Sequence, residues 1–267
     1  MGAPGNEELW ERGAAWWQQE FTAGADPEYE ELILPLVARH LQGARRVLDI
    51  GCGEGQVARR LATLGIDVIG VDPTTTQVRV ARARGGGPRY GEARADALPC
   101  RDGAFDSVLL CLALEHVDAF ETAIREVARV LEPGGRFVLL LAHPLLQAPG
   151  GAWIDDRTVG QHYWRISSYL ADHVIVDKVA PGVALRFVHR PLGRYVHALG
   201  AAGFLIDDME EPAPPEGFVA AAWGFPEAAA FPRVLLIRAH RACPSGRSNL
   251  TSWAKECRVP ARSSSPA

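Results

Sequence analysis

The chain has 267 residues, 48% hydrophobic and 22% charged, a composition that suits a globular protein with a sizeable core and excludes a disordered or fibrous one. A formal net charge of -4 supplies no long-range field to gather phosphate backbones, which argues against a dedicated nucleic-acid binder. The longest apolar runs, 108–114 and 137–142, fall far short of a membrane span of ~20 residues. The start MGAPGNEELWERG carries acid where a signal peptide carries base, and five cysteines without CxxC spacing read as reduced thiols, so a cytoplasmic protein with no membrane partner is expected.

In chain order, residues 1–44 read as an N-terminal helical flap: Trp10, Trp16, Trp17 and Phe21 are followed by a helix start at Asp26-Pro27 and the apolar face Leu32, Ile33, Leu36, Val37, Leu41. From Arg45 the pattern changes. Strands are predicted at 46–50, 67–71, 89–92, 105–112, 135–141, 204–209 and 233–239, with helices at 56–64, 75–84, 119–131 and 192–202. Such alternation builds an α/β domain around a parallel sheet covered on both faces. Residues 45–142 form the first part of this core and 191–241 its C-terminal part. Between them, residues 143–190 carry Trp153, Tyr163, Trp164 and Tyr169 and are too long for a plain loop, so they read as a cap insertion. Residues 242–267 turn rich in Ser, Pro and Arg and read as a disordered tail.

The run Val47-Leu48-Asp49-Ile50-Gly51-Cys52-Gly53-Glu54-Gly55-Gln56 is an apolar strand entering a glycine-rich turn and then a helix. Gly51, Gly53 and Gly55 remove the Cβ atoms that would hold a ligand away from the backbone. A dinucleotide fingerprint needs Gly or Ala where Gln56 stands, so GxGxxG is not met and the spacing is GxGxG. Asp49 would repel a pyrophosphate and suits a ligand with a cationic amino group.

With that first motif the sequence resembles the class I S-adenosylmethionine-dependent methyltransferases. Ile69-Gly70-Val71-Asp72-Pro73 is similar to the family's second motif, which implies that Asp72 accepts the ribose hydroxyls beside Pro73. Ala95-Asp96-Ala97-Leu98-Pro99 resembles the third, which implies Asp96 at the adenine amino group and Ala97 and Leu98 along its face. Gln77 departs from the pattern, since relatives often place an apolar residue there against adenine. Phe105-Asp106 and Leu131-Glu132-Pro133-Gly134-Gly135 complete the series in the right order. The resemblance implies S-adenosyl-L-methionine as cofactor and a Rossmann-like sheet of seven strands in the order 3-2-1-4-5-7-6, strand seven antiparallel, with the cap inserted after strand five.

Methyl transfer from a sulfonium is an in-line displacement in which charge disappears, so alignment and desolvation do much of the work. A hydroxyl acceptor also benefits from a base, and the place to look is the end of strand four, where His116 stands in Ala113-Leu114-Glu115-His116-Val117. Glu115 and, at the end of strand five, His143 are expected to face the acceptor, as are Trp16 and Trp17 of the flap and Trp153 and Trp164 of the cap. His162, His173, His189 and His197 lack ligand spacing, so no metal is expected. The expected activity is methylation of a small-molecule metabolite, at oxygen in preference to nitrogen or carboxylate, in secondary metabolism. The alternatives are a macromolecular substrate, or a cofactor-binding partner or regulatory subunit without turnover.

Overall fold

Val, Ile and Leu runs in the central strands are apolar at consecutive positions because both faces of a parallel sheet are covered. The computed structural model describes residues 5–222 and 226–243. Helix α1 (Asn6–Phe21) is followed by a π-helical turn (Tyr29–Ile33) that continues as α2 (Leu34–His40). Then come β1 (Arg46–Ile50), α3 (Gln56–Ala62), β2 (Asp67–Asp72), α4 (Thr75–Arg84), β3 (Arg89–Glu92), β4 (Phe105–Cys111), α5 (Phe120–Val130) and β5 (Leu131–Ala142). Two hairpins follow, β6 (Ala152–Asp156) with β7 (Gln161–Arg165) and β8 (His173–Ala180) with β9 (Val183–His189). The chain then forms α6 (Leu192–Ala201), β10 (Phe204–Glu210), α7 (Glu216–Ala222) and β11 (Val234–Arg241).

Seven strands make one sheet in the order β3-β2-β1-β4-β5-β11-β10. β1 pairs in parallel with β2 and β4, β4 with β5, and β11 runs antiparallel to both β5 and β10. With the four hairpin strands set aside, this is the order the resemblance implies. Side chains alternate between two cores. Leu48, Ile50, Val108, Leu110, Phe137 and Leu139 meet α5 and α6 through Phe120, Ile124, Tyr195 and Leu199. Val47, Leu109, Val138 and Leu140 meet α2, α3 and α4 through Val37, Leu61 and Val78.

Several element ends shift from those predicted, and two of the shifts have a local cause. β4 stops at Cys111, one residue early, because Leu112 takes a left-handed φ of 51° that no strand tolerates. β5 starts at Leu131, since the chain runs extended beside Phe105 before a register shift brings Arg136 opposite Ser107. Among the described residues no helix is long and apolar enough to cross a membrane. Cys52, Cys100, Cys111 and Cys243 are free thiols. Apart from Ala242 and Cys243, the expectation of a disordered tail over 242–267 lies outside the described residues.

Candidate active site

The carboxyl ends of β1, β2 and β4 converge at the point where the strand order reverses, and a cavity of about 420 Å³ opens there. Asp49 near the end of β1 lies on its wall at 1% exposure, and its Oδ2 has no hydrogen-bond partner among the described residues. Burial, reinforced by the neighbouring Asp72 carboxylate, pushes its pKa up to about 7. Asp72 closes β2 and holds the glycine turn: Gly53 N–H donates to Oδ2 at 2.9 Å and Thr74 N–H to Oδ1 at 2.8 Å. Burial raises its pKa and those two bonds moderate the rise. At Gly51, φ is 73° and a Cβ would lie 2.4 Å from that of Ala113, so a side chain would drive β1 away from the β4 exit. Gly55 differs. A Cβ there would meet the Tyr90 hydroxyl at 2.4 Å, and the residue lies off the cavity, so it serves packing and not the ligand contact expected of it.

Pro73, Gln77 and Asp96 also line the cavity. Gln77 is buried and accepts a hydrogen bond from Gln18 Nε2 of α1 at 2.7 Å. Asp96 is gripped by Arg94 through Nε at 2.9 Å and Nη2 at 3.1 Å, which holds its carboxyl below the usual range, and Arg94 also pairs with Glu7 of α1. Ala97 and Leu98 do not line the cavity as expected. A turn from Ala97 N–H back to the Arg94 carbonyl curls the chain away, leaving Ala97 exposed and Leu98 in the core with its N–H on Glu126; Ala93 and Ala95 take the wall instead. These features fit the implied cofactor: an orphaned buried carboxylate for an ammonium group, a cradle that a Cβ would fill, and an acid closing β2.

The remaining wall is aromatic. Trp10, Trp17 and Phe21 of α1 and Tyr29 of the π-helical turn line it, with the Trp17 and Phe21 rings stacked at 4.3 Å. His116 enters from a 3₁₀ turn (Leu114–His116) after β4. Its Nδ1 lies 2.9 Å from the Arg186 backbone carbonyl, a pure acceptor, so Nδ1 carries the proton and Nε2 is left as an acceptor. The edges of Trp10 and the ring of Phe187 pack at 4.8 Å, and burial pushes the imidazole pKa down to about 4.

Five expected acceptor contacts lie elsewhere, each off the cavity lining. Trp16 is half-buried and packs edge to face on Phe21. Glu115 faces the sheet, accepts Ala142 N–H at 3.2 Å and has its pKa raised to about 7 by burial. His143 accepts Leu145 N–H on Nδ1 and meets Glu211 through Nε2 at 2.8 Å, a strand-end latch. Trp153 and Trp164 meet edge to face at 5.6 Å across the first hairpin, with Trp153 also on Phe231. The second hairpin reaches His116 instead, a long-range contact with no local sequence signal. Tyr29, Leu112 and Ala113 were missed because each reads as an ordinary core residue.

Comparison with known proteins agrees with this geometry. A family model described as a methyltransferase domain matches residues 48–139. The chain is 40% identical over 173 residues to an uncharacterized methyltransferase of Mycobacterium bovis, covering 58% of this chain and 68% of that protein. It is 35% identical over 129 residues to a ubiquinone biosynthesis O-methyltransferase of a Chelativorans species, covering 47% of this chain and 51% of that one. The crystal structure of an S-adenosylmethionine-dependent methyltransferase from Mesorhizobium loti superposes with a TM-score of 0.68 at 32% identity, over 82% of this chain and all of that one (100%).

Proposed function

The chain belongs to the S-adenosylmethionine-dependent methyltransferases, and from that premise we propose that it methylates a hydroxyl group of a small, uncharged, ring-bearing metabolite in the cytoplasm, with His116 as the base. The observation that carries this reading is the neutral imidazole whose Nε2 is free to accept, in a cavity that Trp10, Trp17, Phe21 and Tyr29 also line. Among the described residues Arg94 is the arginine or lysine that lines the cavity, and it is engaged by Asp96 and Glu7 on the cofactor side, so it is not offered to a phosphate or a carboxylate of the acceptor. The O-methyltransferase activity named for the Chelativorans relative supports an oxygen acceptor.

When bound, the cofactor supplies an electrophilic methyl on a sulfonium. Asp49 would hold the ammonium of its amino acid portion, Asp72 the ribose hydroxyls and Asp96 the adenine edge. The aromatic wall flattens the acceptor ring and excludes water. His116 Nε2 accepts the acceptor O–H and thereby orients an oxygen lone pair. As the new C–O bond forms, that proton becomes strongly acidic, so even an imidazole with a pKa of about 4 can take it. The Arg186 carbonyl at Nδ1 stabilises the imidazolium so formed. Isotopically labelled methyl donor, offered with a panel of hydroxylated, amino and carboxylated aromatic metabolites, tests this: label on a phenolic or alcoholic oxygen is expected. Label on nitrogen, on carboxylate or only on macromolecules would contradict it.

A further inference from the structure

A three-residue 3₁₀ turn cannot hold its own register, and the turn carrying His116 is closed by only two backbone bonds, His116 N–H to Ala113 and Val117 N–H to Leu114. Its outward carbonyls need partners: Asn6 of α1 donates to that of His116, and one further side chain takes those of Leu114, Val117 and Asp118. Arg190, the residue after β9, is 3% exposed, and its Nη2 donates to the Val117 carbonyl at 2.7 Å and the Asp118 carbonyl at 3.3 Å while Nη1 reaches that of Leu114 at 3.4 Å. The guanidinium lies over the Phe120 ring at 4.3 Å, so the fork is fixed in plane as well as in direction. The same strand contributes the Arg186 carbonyl to His116 Nδ1, the Phe187 ring to the imidazole face, and an Arg186–Asp118 ion pair at 2.7 Å.

We propose that Arg190 is a positioning residue for methyl transfer: its buried guanidinium is the template on which the 114–118 turn is laid, and it thereby ties the β8–β9 hairpin to the aim of His116 Nε2. This rests on the reading of His116 as the base. Arg190 does not itself line the cavity and meets its wall only from behind, through the Val117 and Asp118 carbonyls, and among the described residues no hydrogen bond or ion pair joins it to Asp49, Asp72 or Asp96, so its loss should act on chemistry and not on cofactor binding.

The test is a double-mutant cycle of Arg190→Met and His116→Ala in the full chain, following turnover, cofactor affinity and the ¹⁵N signals that report the His116 tautomer. Arg190→Met should lower turnover by about 10²-fold, as a misplacement of about 1 Å does, and leave cofactor affinity near that of the wild type. It should also replace the single Nδ1-protonated tautomer by a mixture, and cost nothing further in the His116→Ala background. Normal turnover in Arg190→Met, or a loss that multiplies with that of His116→Ala, would overturn the proposal and leave the base standing. Normal turnover in His116→Ala would remove the base and the proposal together. Should Arg190→Met fail to fold, Arg190→Lys carries the test: its point charge cannot span three carbonyls, so a folded protein with the wild-type tautomer and turnover would overturn the proposal, and a mixed tautomer with reduced turnover would support it.

Discussion

Asp49 sets a conflict between stability and function in one side chain. Its acid form is favoured in the folded state, so the stability it contributes is full below the unfolded carboxyl pKa and is lost as pH rises through about 7. Glu115 acts in the same direction, also through a pKa of about 7. The cofactor-free protein should therefore melt at a lower temperature at pH 8 than at pH 6, and Asp49→Asn should melt higher than the wild type at pH 8 in scanning calorimetry. Cofactor affinity should move the other way: it should rise with pH up to about 7 as the carboxylate ionises, and Asp49→Asn should weaken it by about 1.5–3 kcal/mol in titration calorimetry. His116 has the opposite sign. Its pKa near 4 means that turnover at saturating cofactor should be flat in pH from 6 to 8, since the imidazole is already neutral. A limb near the ordinary histidine value would contradict its burial. Gly55→Ala should reduce stability by about 1–3 kcal/mol through its φ of 85° and the Tyr90 hydroxyl, with cofactor affinity little changed, because the residue is off the cavity.

Among the elements, α1 is the one that turns a groove into an enclosed site. Gln18 to Gln77 and Glu11 to the Thr76 N–H at 3.2 Å fasten it to α4, and Glu7 to Arg94 fastens it to the stretch after β3, while Gly13 packs against Val183 and Leu185 of β9. Trp17→Ala should raise the acceptor KM about tenfold, by loss of roughly 1.4 kcal/mol of aromatic contact, with a smaller effect on cofactor affinity. The central strands and helices were legible in the sequence because their burial repeats every two residues or along one helix face. The hairpins were not, because β8 is exposed at every position but Ile175 and Ala180, with Val174 and Val176 on the same face as Lys178, leaving no core period to read. Pro181-Gly182 between them, with Gly182 at φ 77°, was the one local sign of the second turn. Likewise a leucine gives no warning of a positive φ, so the bend at Leu112 that opens the cavity was invisible.

At the scale of the molecule, the strand order places β1 between β2 and β4, with helices on opposite faces, so the crevice at their carboxyl ends follows from topology. That much of the cavity wall, Asp49, Gly51 and Gly53, was readable because a ligand approaching bare backbone demands glycine at fixed spacing, and Asp72 through the resemblance of its motif. The acceptor side was only half readable. Its residues come from α1, the π-helical turn and the 3₁₀ turn after β4, which β9 backs, and these meet through tertiary packing that no local pattern records; this is why Trp153, Trp164, Glu115 and His143 were expected there and are not.

The most direct test of the account is the split between turnover and cofactor binding in His116→Ala, measured once a labelled acceptor is in hand. With Nε2 as the base, turnover should fall by roughly 10²–10⁴-fold while cofactor affinity stays within about twofold of the wild type. A folded His116→Ala protein that methylates its acceptor at the wild-type rate would contradict it.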